Sequence, residues 1–183
     1  MNQITRKVSL RGITDIMFDR YAGDNKTELS VEQKMYYAQD GKTLILPATN
    51  VMSFLSAQNT PSAPKRLLDS REYKKVAQAL LGYIAISPLE IPITKSNKPI
   101  VFGGFNGEIY VHNSVARLEK GIPNPKIRPV IRTPWELNFT LTMFPNNEIK
   151  ESLVKDMFDR GGIAIGLGTF RGVFGKFVVD KWE

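Results

Sequence analysis

The clearest hydrophobic–polar pattern in the chain lies between Trp135 and Met143. Trp135, Leu137, Phe139, Leu141 and Met143 alternate with Glu136, Asn138, Thr140 and Thr142. A period of two with one apolar face predicts a half-buried antiparallel strand. Residues 7–18 alternate more loosely through Val8, Leu10, Ile13 and Ile16, which predicts a first strand interrupted or bulged near Gly12. Thr43–Leu46 reads as a short apolar strand, and Pro47 then opens a helix over residues 49–57, because a proline costs no hydrogen bond in a first helical turn. Leu29 to Ala38 predicts a short helix. Leu67, Leu68, Val76, Ala77, Leu80 and Leu81 share one face at helical spacing, so residues 66–82 form a helix with Gly82 as its stop signal.

Further on, residues 83–93 and 99–112 hold short strands broken by Pro88, Pro92 and the Gly103-Gly104 pair. A helix is predicted from Asn147 to Arg160. Asn146 or Asn147 would cap it, Glu148 and Glu151 would complement its dipole, and Gly161 would stop it. Short strands near Ile163–Leu167 and Lys176–Trp182 close the chain. The order strand, helix, strands, then strand–helix–strand predicts an α+β fold: a ferredoxin-like or RRM-like antiparallel sheet with helices on one face and inserted loops. The whole span 1–183 reads as one domain. Around 114–134 it carries an inserted basic arm whose prolines, Pro123, Pro125, Pro129 and Pro134, confine it to an exposed position or a sheet edge.

Charge and composition narrow the function classes. Lys and Arg number 25 against 18 Asp and Glu, a net charge of +7 that favours phosphates or another anionic surface. There is no cysteine and one histidine, His112, so thiolate chemistry is excluded and the usual zinc sites nearly so. No apolar run reaches the roughly 18–20 residues of a membrane span, and the opening MNQITRKVSL lacks a signal-peptide core, so a cytoplasmic protein is expected. Basic residues cluster in the arm, at Arg117, Lys120, Lys126, Arg128 and Arg132, and again at Lys65, Arg66, Arg71, Lys74 and Lys75. Such clusters suit counterion release on a nucleic-acid backbone, and they equally suit a solvated face.

Two motifs offer chemistry. The segment RGGIAIGLGTFRGVFGK, residues 160–176, brings six glycines together with Arg160, Arg171 and Lys176, and with Phe170 and Phe174 as possible stacking faces. Backbone N–H groups around Gly168 could cradle phosphates. Alternatively the segment is a tight glycine hairpin. It is neither a Walker A loop, since Gly175-Lys176 is followed by Phe177, nor a dinucleotide fingerprint, which needs a strand before the glycines and a helix after them. The second motif, GKTLILPATNVMSF, residues 41–54, places Asn50 and Ser53 near a helix N-terminus, a natural anion site or an ordinary crossover. No cofactor motif is present.

Three features in order resemble the RAMP superfamily, the RRM-like RNA-binding proteins that form the backbone of CRISPR effector complexes. They are the strand Val8–Gly12 ending in a small residue, the strand-to-helix step from Gly41 to Thr49 with Leu46-Pro47-Ala48-Thr49 at its core, and the glycine loop from Gly161-Gly162 through Gly175. Residues 50–57 depart from the family pattern by carrying no basic side chain. The chain also looks like small proteins of mobile elements. The resemblance implies a non-catalytic subunit that binds single-stranded RNA through its phosphates, beside copies or relatives of itself. Arg171 and Lys176 would then contact the backbone, Asn50 and Ser53 would face it, and Arg128 and Arg132 would grip RNA or a neighbouring subunit. Competing expectations are a structural or interaction protein without nucleic acid, and a metal-dependent ribonuclease using a loop aspartate such as Asp24.

Overall fold

The computed structural model describes residues 2–24, 26–56, 71, 73–117, 121 and 123–183. In chain order the elements are β1 (Ile4–Gly12), β2 (Ile16–Met17), β3 (Ile45–Pro47), α1 (Ala48–Ser56), α2 (Tyr73–Tyr83), β4 (Ile84–Ser87), β5 (Glu90–Lys95), β6 (Lys98–Pro99), β7 (Ile109–Arg117), β8 (Pro123–Ile131), β9 (Glu136–Met143), α3 (Glu151–Ala164) and β10 (Phe177–Trp182). A 3-10 turn occupies Glu32–Lys34.

Alternation in β9 decides the layering. Leu137, Phe139, Leu141 and Met143 are buried while Asn138 is exposed, so one face of the strand meets the helices. β9 pairs antiparallel along nearly all of β1, from Ile4↔Met143 to Arg11↔Glu136. The other edge of β1 takes β10, and the other edge of β9 takes β4, also antiparallel. The order β10-β1-β9-β4, with helices linking β1 to β4 and β9 to β10, is a pair of interleaved βαβ units. This is the expected ferredoxin-like antiparallel sheet. Between β4 and β9 the chain adds β5, which takes the rest of the β9 edge at Ile93↔Leu137 and pairs on its far side with β3.

A ring cluster fastens the helices to the sheet. Phe54 of α1 lies 5.7 Å from Phe158 of α3 and 5.5 Å from Phe177 of β10, and Phe158 reaches Phe139 at 6.1 Å and Trp182 at 5.7 Å. Such tilted contacts suit the aromatic quadrupole.

Several sequence expectations are corrected. The helix expected over Leu29–Ala38 is a single 3-10 turn, because Tyr36 and Ala38 are drawn out to hydrogen-bond Ile45 and Thr43. The first strand is interrupted next to Gly12, as expected, and a register shift against β10 lies between Ser9 and Leu10. α2 runs through Gly82 to Tyr83, and Leu81 faces solvent instead of the core. The part of the predicted helix at 66–70, with its Leu67 and Leu68, lies outside the described residues. Residues 100–108 form no strand beyond a bridge at Val101.

The last helix is displaced by a turn at each end. The Asn146 side chain accepts from the N–H groups of Glu148 and Ile149 at 3.0 and 2.9 Å, which makes a turn ahead of the helix instead of capping it. Gly161 does not stop it either. α3 continues to Ala164, so the strand predicted at Ile163–Leu167 is a final helical turn and the start of a loop. The reason is tertiary. A Cβ on Gly162 would stand 2.5 Å from the Phe177 carbonyl oxygen, so the glycine allows the helix to touch β10 closely.

Glu151 ties this helix to the sheet. It accepts from Arg6 Nε at 2.5 Å and NH2 at 3.0 Å, and from Trp182 Nε1 at 2.8 Å. The Arg6 hydrogen bond first, then that of Trp182, holds its carboxyl below the ordinary 4.5. A lowered folded value means the stabilisation is complete above the unfolded value and fades as pH falls below it toward the folded one. Glu151→Gln should cost about 1 kcal/mol at neutral pH, discounted for the partial exposure of the pair. The variant and the parent should converge in melting temperature as pH drops below the ordinary carboxylate range. A gap that stays constant down to acid pH would contradict the assignment.

Candidate nucleic-acid interface

Four of the residues singled out in the sequence meet at one cleft of about 160 Å³, lined by Phe18, Asp19, Tyr36, Asn50, Ser53, Leu167, Gly168, Thr169 and Arg171. Asn50 and Ser53 lie three apart on α1, hence on one face, while Val51, Phe54 and Leu55 point into the core. The opposite wall is the glycine loop. Its Thr169 N–H donates to the Met17 carbonyl at 2.9 Å, which pins Gly168 against the end of β2.

The loop spends much of its backbone inward. Leu167 N–H donates to Gly175, Gly172 N–H to Ile165, Gly175 N–H to Asp15, and Lys176 N–H to the Thr14 hydroxyl, at 2.7–2.9 Å. What the loop offers to the cleft is therefore side-chain chemistry, Thr169 and Arg171. Burial pulls the Arg171 guanidinium below its ordinary pKa. An arginine remains charged under such a shift, so a cationic side chain lines the cleft.

The described residues of the segment 114–134 belong to β7, β8, Gly121 between them and the turn after β8, and Lys120 lies outside the described residues. Pro123, Pro125 and Pro129 recur at even spacing, so their missing donors all lie on the β8 edge away from β7. That edge offers carbonyls instead: Pro129 accepts from Phe18 N–H and Ile127 from the Lys34 ammonium. Opposite residues of an antiparallel pair share a face, so His112 stands with Arg128, and Ser114 with Lys126. Arg128 Nε donates to Asp19 at 2.7 Å and so reaches the edge of the cleft. Lys126 lies beyond it, lining a second groove along residues 19–34.

The remaining candidates lie elsewhere. Arg132 stacks over Tyr110 at 4.7 Å and donates to the Gly107 carbonyl, which latches the base of the hairpin. Tyr110 in turn donates to Asp15, and its hydroxyl is pushed up to about 12 by burial and then by that carboxylate. Arg160 pairs with Asp156 one turn away on α3, and neither Arg160 nor Lys176 lines the cleft. Sequence reading did not assign Asp19, Tyr36 or Thr169 to the interface. Asp19 finds its cation 109 positions away, a separation with no local signature.

Asp24 accepts from Lys26 N–H, Thr27 N–H and the Thr27 hydroxyl at 2.6–2.7 Å, and the Thr27 hydroxyl first among these holds its carboxyl below the usual range. Among the described residues no three His, Asp or Glu side chains gather as a metal site, and no helix is long and apolar enough to cross a membrane.

No family model matches the sequence, and no curated protein matches it. Among solved structures the chain is similar to a subunit of a type III-B Cmr-beta complex bound to cognate target RNA, determined by cryo-electron microscopy. The TM-score is 0.64 at 12% identity, over 100% of this chain and 60% of that one. This likeness shows a distant fold of the same kind, with the chain spanning about three-fifths of the neighbour's length.

Proposed function

We propose that this chain is a non-catalytic, RAMP-like subunit that binds single-stranded RNA along its phosphate backbone, side by side with copies or relatives. The observation that carries the reading is the cleft, where the start of α1 and the glycine loop converge on the half-buried Arg171. The early turns of a helix supply unpaired N–H donors and a positive dipole end, and a guanidinium adds a charge-assisted hydrogen bond to phosphate. The net charge of +7 supplies long-range attraction. The solved neighbour is described as bound to target RNA, which agrees with this reading. The open sheet face carries Lys7, Asn138, Thr140 and Lys181 around a groove that Pro88 and Glu183 also line. On the hairpin, Val115 and Ile127 are exposed on the face opposite His112, which suits contact with a neighbouring subunit.

The test is a salt titration of binding to a short unstructured RNA. Arg171→Gln should weaken binding about ten-fold regardless of sequence and lower the salt slope by about one. Asn50→Asp, which sets a negative charge on the other wall, should weaken it similarly. If both variants melt like the parent and bind with unchanged affinity and slope, the cleft is not the phosphate site.

A further inference from the structure

We propose that Phe170 is a stacking platform for one unpaired nucleobase of the strand whose phosphate occupies the neighbouring cleft. The proposal rests on the backbone-binding reading above. It assigns to the same site a contact with bases.

Of the two phenylalanines in the glycine loop, the structure separates the roles. Phe174 is 9% exposed and packs edge-on against His112 at 5.3 Å, so it belongs to the base of the hairpin. Phe170 is 54% exposed and has φ +52, in the left-handed region. A bulky aromatic residue is rare there, and glycine would adopt it freely. Both features work against stability, and burial gains little in return. Its ring contact with Phe174 covers less than half of it, so packing only partly explains a phenylalanine at this position. Strain held at an exposed side chain is a mark of function.

The surroundings say what the ring would meet. Phe174 braces it from below, with ring centroids 6.0 Å apart and planes inclined by 34°, and the Phe174 N–H donates to the Phe170 carbonyl. The next residue, Arg171, lines the cleft. Arg128 and Lys126 share the hairpin face of His112, against which Phe174 packs, and Arg128 is paired there with Asp19. An exposed ring one residue from a cleft that Arg171 lines fits a polyanion that carries flat apolar groups, which is single-stranded nucleic acid.

The experiment measures binding of the full chain to a short oligouridylate and to an abasic ribose-phosphate strand of equal length. The parent protein should prefer the base-bearing strand by roughly ten-fold, the usual scale of one base stacked on one ring. Phe170→Gly should lose that preference, keep its affinity for the abasic strand, and melt at or above the parent temperature. Phe170→Tyr should keep the preference. If Phe170→Gly retains it, the stacking proposal is overturned while the backbone-binding reading stands. If the parent binds neither strand, the backbone reading itself has failed and this one with it. If Phe170→Gly binds both strands like the parent but loses self-association in light scattering, the ring is a protein contact and the proposal is again overturned.

Discussion

Gly175→Ala collapses the glycine loop and removes about 3–5 kcal/mol of stability, the scale on which buried clashes are felt. Gly175 has φ +76, and a Cβ placed there would overlap the carbonyl of Leu167. The obstacle is backbone, so no side chain can rotate away. The two residues are also hydrogen-bonded, Leu167 N–H to Gly175 at 2.9 Å, and Gly175 N–H reaches Asp15 at 2.7 Å. Relieving the clash breaks both bonds, each worth about 1 kcal/mol, beyond the dihedral cost of about 1 kcal/mol for an alanine in the left-handed region. Gly172→Ala is the control. It also sits at positive φ, +94, but its added Cβ meets nothing within 4 Å. It should show the dihedral cost alone. At about 2–4 °C per kcal/mol for a chain of this size, the two variants should be separated by several degrees on thermal melting. Coincident melting curves would contradict the packed geometry of the loop. Because the loop carries Arg171, RNA affinity should fall with Gly175→Ala and hold with Gly172→Ala.

That contrast shows how far the sequence could be read. Glycines in residues 160–176 announced tight backbone approach, and Gly162 and Gly175 provide it. The sequence could not say what is approached, because Phe177 and Leu167 become neighbours only after α3 has packed on the sheet. Strand β9 was legible because burial on one face imposes strict alternation. The bounds of α3 were not, since Asn146 serves a preceding turn and Gly161 sits inside a helix held by its contact with β10. For the cleft, Asn50 and Ser53 were visible as a helix start and Arg171 as a loop cation. Charge alone could not separate Arg128, which reaches the cleft edge through Asp19, from Arg132, which is committed to Tyr110 and Gly107.

Phe54→Ala tests the other wall of the cleft, and its cost should also be about 3–5 kcal/mol, the range for deleting a fully buried aromatic ring. Phe54 has no exposed surface and is the part of α1 that touches both Phe158 and Phe177. Removing the ring opens a void where three elements meet, and the rings around it cannot close it without moving the helix. Asn50 lies one turn before Phe54 and Ser53 directly beside it. The substitution should therefore weaken RNA binding even at a temperature where both proteins are fully folded. Phe54→Leu keeps most of the volume and should cost markedly less on both measures. Met52→Ala, on a partly buried side chain of the same helix, should change stability modestly and binding little. If Phe54→Ala lowers the melting temperature but the folded protein binds RNA as tightly as the parent, α1 does not position the phosphate contacts, and the cleft would owe its affinity to the glycine loop alone.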